Sequence, residues 1–315
     1  MKAVVAHSYG DLDVLRFEAV PDVTPGENQV VIRVEATSLN PVDLKMLSGA
    51  LKALFETPFP YVPGADAAGT VVAVGPGVTA YAIGDRVGGA VHAGLAEYAR
   101  ADVTSPLVAR IPDALDMRTA AAAPVVGLAA LDAQHAAGEV RGKNVVVIGA
   151  TGSVGRLVVQ LAAAQGARVI ATARPADATA LRSLGAADLI DYDAEPVIDA
   201  IRRRIAAGAD VLIDLVHVGP ELGAMASAIA PGGTLVSTLF GPTDEKLGDV
   251  SLKYVRMDEG GPATTEQLYA MLASGALRLE IGRTFSFEEA IEAFKALRAG
   301  DVRGKIVVTQ HGFPP

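Results

Sequence analysis

The sequence predicts an α/β chain: a doubly wound parallel sheet inserted between the two parts of a smaller, β-rich domain. Three observations predict it. Strand-like and helix-like runs alternate regularly from Val145 to about Phe240. Short apolar runs closed by glycines fill the stretch before Pro112, and a last apolar run, "RGKIVV", follows two amphipathic helical segments. Alternation of strand and helix specifies parallel strands, whereas short strands with frequent turns specify a compact barrel.

Along the chain, "NQVVIRVEATSL" sets Val31, Arg33 and Glu35 against Val30, Ile32 and Val34, the period of a half-buried strand. "GTVVAVGPGV" and "GDRVGGAV" read as further short strands. Past Pro112, "MRTAAAAPVVGLAALDAQHAA" is Ala-rich, with Pro124 and Gly127 its only interruptions, and reads as helix. The alternating series then runs as strand Val145–Ile148, helix to about Gln165, strand Arg168–Ala173, helix Ala178–Leu184 and strand Leu189–Asp191. A helix at Val197–Ala206, the strand "ADVLIDLV", a helix at Leu222–Ile229 and, beyond "PGG", the strand "TLVSTLF" complete it. "TEQLYAMLASGAL" and "FEEAIEAFKALRAG" are amphipathic helices before the closing strand. Domain boundaries are expected at 1–115, 116–260 and 261–315, the first and last segments forming one domain.

Composition excludes several classes of function. A formal charge of −9 with no basic run argues against a nucleic-acid surface. No apolar run reaches membrane-spanning length, and the apolar stretch in "MKAVVAHSYG" is too short for a signal peptide, so a cytoplasmic protein without a membrane partner is expected. Cysteine is absent and the five histidines are scattered without ligand spacing, so no metal site is expected.

The chemistry-bearing motif is "GATGSVG". Ala150, Gly152 and Gly155 take the three small-residue places of a dinucleotide-binding turn, with Thr151, Ser153 and Val154 between them. Such a turn brings backbone N–H groups to a pyrophosphate at a helix N-terminus, and Gly155 permits close helix–strand contact. Its place between a predicted strand and helix supports the reading. The second strand ends in "ATARPAD". Thr172 is counted with the cofactor positions, and Arg174 stands where an acid would select the ribose hydroxyls of NAD; a guanidinium suits a 2′-phosphate instead, so NADPH is expected. Asp177 is expected to face away in the next helix.

With these motifs in hand, the chain resembles the medium-chain dehydrogenase/reductase superfamily, in its zinc-independent quinone and enone reductase branch. The resemblance is carried by "NPVDLK", "PGADAAGTVVAVG", "GDRV", "AEYA", "GATGSVG", "RSLGAADLIDY" and "RGKIVV". It implies a GroES-like catalytic domain, a Rossmann domain and a homodimer. Zinc-dependent relatives carry Cys near Asn40 and Gly-His-Glu near Gly64, where this chain has Asn40 and Gly64-Ala65-Asp66. The resemblance adds Tyr192 on the adenosine phosphate, and His217, Leu239 and Phe240 at strand ends near the nicotinamide. It also marks Asn40, Asp43 and Lys45 as the catalytic segment: Asn40 hydrogen-bonding, Asp43 orienting, and a partly desolvated Lys45 ammonium at the acceptor oxygen. A tyrosine common in relatives after "SG" is missing, Tyr61 is not expected to replace it, and Gly127-Leu128-Ala129 replaces the usual Thr-Ala-Tyr.

The resemblance and the turn together imply an NADPH-dependent, metal-free reductase of small-molecule quinones or α,β-unsaturated carbonyls. An enoyl-thioester reductase and a non-catalytic NADPH-binding, redox-sensing module are the alternatives.

Overall fold

The computed structural model describes residues 1–239, 245–255 and 261–310. The chain divides into two compact units, Met1–Val125 with Thr264–Pro315, and Val126–Ala263. In the first unit, β1 (Lys2–Val5) pairs antiparallel with β2 (Arg16–Ala19). There follow β3 (Gln29–Leu39), α1 (Pro41–Leu47), β4 (Asp66–Val74), β5 (Arg86–Ala90), β6 (Tyr98–Asp102), β7 (Val108–Arg110) and α2 (Met117–Ala122). The helix α3 (Pro124–Ala137) leads into the second unit. There β8 (Asn144–Ile148), α4 (Ser153–Ala164), β9 (Arg168–Thr172), α5 (Ala178–Ser183), β10 (Ala186–Ile190) and α6 (Val197–Arg204) come first. Next are β11 (Ala209–Asp214), α7 (Gly219–Met225), β12 (Ile229–Ser237), β13 (Glu245–Leu247) and β14 (Val250–Tyr254). The chain re-enters the first unit with α8 (Thr265–Ala273), β15 (Ile281–Ser286), α9 (Ala290–Ala299) and β16 (Lys305–Thr309).

The second unit is a sheet in the order β10-β9-β8-β11-β12-β14-β13, parallel except for β13 against β14. Its strands are buried on both faces. Val146 and Ile148 of β8 pack with Ile201 of α6 and Leu222 of α7 in one cluster, while Val145 and Val147, pointing the other way, are equally buried. The strand expected to start after "PGG" starts earlier, at Ile229, and runs through those glycines. Gly232 has φ +79°, and a Cβ on Gly233 would sit 2.8 Å from the Asp210 carbonyl oxygen, so the glycines carry a bend in β12 rather than its beginning.

In the first unit the sheet order is β15-β16-β3-β4-β5-β7, and β6 pairs with β3 as well. Partnered by β16, β4 and β6, β3 is central, and of its residues only Arg33 is exposed. The alternation read in its sequence therefore separates two covered faces rather than core from water. Glu35 is buried and accepts the Thr70 hydroxyl. The unit boundary falls at Val125, not at residue 115, because α2 belongs to the first unit. Ala120, Ala121 and Ala122 are small enough to lay this helix on β3 and β4, and the buried Tyr269 hydroxyl donates to the Ala120 carbonyl at 2.9 Å.

Candidate functional site

Two constellations stand out, one in each unit. In the second unit, β8 ends at Ile148 and the chain turns through Gly149 (φ +80°) to Gly152, the N-cap of α4. The Gly152 N–H donates to the Gly149 carbonyl at 3.1 Å, closing the turn. No side chain caps α4, so its first-turn N–H groups, with the helix dipole behind them, are free to hold an anion. A Cβ on Gly155 would stand 2.3 Å from the Gly149 carbonyl oxygen and 2.6 Å from Ala150 Cα, so only glycine fits there. Ala150 is buried, whereas Thr151, Ser153 and Val154 are half-buried and Gly152 is exposed. The donor set and the cradle fit the pyrophosphate of a dinucleotide.

Around this turn the other expected cofactor residues fall into distinct roles. Thr172 is buried, and its hydroxyl accepts the Gly149 N–H at 3.1 Å, so it braces the turn from β9. Arg174, beyond β9, is exposed; its Nε donates to Asp193 Oδ2 at 2.8 Å and its guanidinium carbon lies 5.6 Å from the centre of the Tyr192 ring. The two Nη groups have no partner among the described residues. Tyr192 is exposed, and Asp177 is buried at the start of α5. At the end of β11, Asp214 is fully buried and His217 half-buried, with the His217 Nδ1 2.8 Å from Asp214 Oδ2. The half-buried Leu239 donates its N–H to the Ser237 hydroxyl beyond β12, and Phe240 lies outside the described residues.

In the first unit, Asn40 follows the end of β3, Asp66 opens β4 and Lys305 opens β16. Because β16, β3 and β4 are neighbours in that order, all three residues meet at one end of the sheet. Lys305 Nζ donates to Asn40 Oδ1 at 2.5 Å and the Leu39 carbonyl at 3.0 Å, and lies 3.9 Å from Asp66 Oδ2. Asp66 accepts from the Asn40 amide, the Ser38 hydroxyl and the Val125 N–H, each at 2.8 Å. Three acceptors and no donor around Nζ match an ammonium. Burial pushes the Lys305 amine down and the Asp66 carboxyl up, and each partner's charge opposes the shift.

Asp43 is buried in α1 beside this network. It accepts the Asn40 N–H at 2.7 Å and the Gly64 N–H at 3.2 Å, which fixes the start of the helix and the loop before β4. Burial raises its carboxyl to about 6. Its own burial, and then the charge of Asp43, hold the Tyr61 phenol above its usual range. Asn40 thus has both ends of its amide engaged inside the protein. Lys45 departs from expectation: it is exposed in the last turn of α1 with no partner among the described residues, so its ammonium is not desolvated. The buried ammonium is that of Lys305.

Sequence reasoning passed over Lys305, Asp66 and Asp214 as functional groups. Each carried one signal: a charged residue inside an otherwise apolar or small-residue run, "KIVV", "GADAAG" and "VLID". The donors around Asn40 do not suit zinc. The chain has no cysteine, and a lysine nitrogen occupies the space beside Asp66. No group of three or more His, Asp or Glu side chains among the described residues is placed to hold a metal ion.

Comparison with known proteins agrees with this layout. A family model for the alcohol dehydrogenase GroES-like domain matches residues 26–112, and one described as zinc-binding dehydrogenase matches residues 184–308. A 2-methylene-furan-3-one reductase of Solanum lycopersicum is 34% identical over 98% of this chain and 79% of its own length. An Arabidopsis thaliana chloroplastic NADPH-dependent alkenal/one oxidoreductase is 33% identical over the same shares, 98% and 79%. Among solved structures, a quinone oxidoreductase from Coxiella burnetii superposes with a TM-score of 0.83 at 31% identity, over 98% of this chain and 99% of that one. No helix among the described residues is long and apolar enough to cross a membrane. With a GroES-like unit, a nicotinamide-cofactor unit and full-length relatives of this kind, the chain belongs to the medium-chain dehydrogenase/reductase superfamily, in its quinone oxidoreductase branch.

Proposed function

We propose that this protein is an NADPH-dependent, metal-free reductase of quinones and α,β-unsaturated carbonyls, acting as a homodimer. The observation that carries the reading is the uncapped start of α4 over the Gly155 cradle, with the free Nη groups of Arg174 at the tip of the neighbouring strand. Bound there, a reduced nicotinamide dinucleotide supplies a hydride to an electron-poor carbon. The N–H groups of Ser153 and Val154 hold the pyrophosphate, and Arg174, steadied through Nε by Asp193, turns its remaining donors to the 2′-phosphate. In the first unit, Lys305 and Asp66 lock Asn40, and Asp43 fixes the α1 segment that follows it. The relatives named for alkenal/one and quinone reduction point to the acceptor class.

The test is oxidation of NADPH and NADH with a panel of quinones and enones, run before and after dialysis against a chelator. Turnover of at least one acceptor class, preference for NADPH and indifference to chelation are expected. Tight NADPH binding without turnover would instead make the protein a binding module.

A further inference from the structure

Hydride transfer leaves the acceptor one proton short, and the second unit contains an arrangement suited to supply it. Asp214, the last residue of β11, has no exposed side-chain surface. Its Oδ1 accepts the backbone N–H groups of Val216 and His217, both at 2.9 Å, and its Oδ2 faces His217 Nδ1 at 2.8 Å. Oδ1 is thereby spent on fixing the loop backbone, and Oδ2 on holding the imidazole. A carboxylate accepts only, so Nδ1 carries a hydrogen and Nε2 is the nitrogen left to gain or lose one. Among the described residues Asp214 is the only hydrogen-bonded or ion-paired partner of the ring.

The loop that carries His217 abuts the nucleotide turn. The Leu215 N–H donates to the Ile148 carbonyl at 3.2 Å, and a Cβ on Gly149 would come within 2.8 Å of Val216 Cγ2. His217 thus stands at the carboxyl end of a central parallel strand, where this class of sheet binds its ligands. Its sequence neighbours Val216 and Val218 are 55% and 57% exposed, so the loop presents apolar surface next to His217 in the chain. An imidazole oriented by a buried carboxylate, on a half-buried loop that abuts the cofactor turn, is the geometry of a general acid rather than of a packing residue.

We propose that His217, through Nε2, is the catalytic acid that protonates the acceptor, with Asp214 as its positioning residue; this rests on the reductase reading above. As hydride reaches carbon, negative charge collects on the acceptor's oxygen. The Nε2–H bond breaks, an O–H bond forms on that oxygen, and the N–H electron pair stays on the imidazole. A solvent hydronium ion then returns a proton to Nε2, while the other ring hydrogen stays on Nδ1, donated to Asp214 Oδ2. The acceptor has gained one hydride and one proton, the two electrons and two hydrogens of its dihydro form.

The experiment compares wild type with His217→Gln and Asp214→Asn in three measurements. These are NADPH affinity by fluorescence, single-turnover NADPH oxidation against pH with a quinone and an enone, and imidazole nitrogen NMR of the cofactor-free protein. Glutamine can donate a hydrogen bond but cannot exchange a proton, so H217Q should bind NADPH normally and turn over about 10²-fold more slowly. In D214N the amide reverses the ring's tautomer, and the NMR signature and the rate should change together. The proposal falls if H217Q keeps the wild-type rate and profile, if its whole defect is in NADPH affinity, or if the neutral wild-type ring carries its hydrogen on Nε2. A wild type that oxidises NADPH with no acceptor would overturn the reductase reading instead, and the NMR arm would still report the pairing.

Discussion

Replacing Lys305 by methionine tests the buried network most directly. The variant keeps an unbranched stem and removes the ammonium. It leaves Asp66 fully buried without its countercharge, and leaves Asn40 Oδ1 and the Leu39 carbonyl without their donor. Breaking a buried pair by removing one member costs about 3–5 kcal/mol. Asp66 keeps three hydrogen bonds, from Ser38, Asn40 and Val125, so the low end, about 3 kcal/mol, is the working figure. The cost should also depend on pH with a defined sign. Removing the ammonium raises the Asp66 carboxyl further, and a carboxyl raised by folding contributes stability at low pH that is lost as pH rises through its folded value. The gap between variant and wild type should therefore widen as pH rises and narrow as pH falls. Amide exchange along β3 and β16 is the suitable assay, because it reads the first unit without assuming that both units unfold together. Adding Asp66→Asn to the variant removes the stranded charge and should recover at least half of the loss. A loss under about 1 kcal/mol, or one independent of pH, would refute the reading of Lys305 as an internal countercharge.

Three further outcomes are expected. Arg174→Ala should weaken NADPH binding about tenfold and leave NADH unaffected; the low end of a charge-assisted phosphate contact is chosen because Asp193 already shares the guanidinium, and equal losses with both cofactors in binding titrations would contradict it. Gly155→Ala puts a methyl group 2.3 Å from a backbone oxygen, so it should lower stability by about 1–3 kcal/mol and abolish cofactor binding, as thermal melts and NADPH fluorescence would show; unchanged affinity would mean that the turn is not the cradle. Asp43, whose carboxyl is raised to about 6, contributes stability that is full below about pH 4 and fades as pH rises through about 6, and Asp43→Asn should erase that slope from the urea midpoint measured against pH.

Local pattern made the second unit readable. "VVVIGATGSVG" combines an apolar run, a forced glycine turn and an amphipathic helix, and every part of that signal is short-range, so β8, the turn and α4 lie where the sequence puts them. The same holds for Gly155, whose lack of a side chain is a local necessity. The first unit was legible as β-rich but not in its burial, because the cover over β3 comes from β16 and α2, far away in sequence. Lys305 was hidden for the same reason. A lysine opening a strand reads as a solvated edge, and only the pairing of β16 with β3 shows that it ends among Leu39, Asn40 and Asp66. Lys45 illustrates the converse: proximity to Asn40 in sequence placed it in the active segment, yet the turn of α1 carries it to the surface.

The pairing of β16 with β3 also orders events during synthesis. The sheet of the second unit is drawn from one continuous stretch, Val126–Ala263, and can form as soon as that stretch has left the ribosome. The first unit cannot, because Ile306–Thr309 must find Ala36–Leu39 across almost the whole chain. Until that last strand docks, Asp66 has no countercharge and stays with water, and Asn40 lacks the donor that fixes its amide. Arrival of Lys305 therefore completes both the sheet and its charge balance in one step, so the nascent protein would hold a finished nucleotide unit before the first unit is able to complete its sheet.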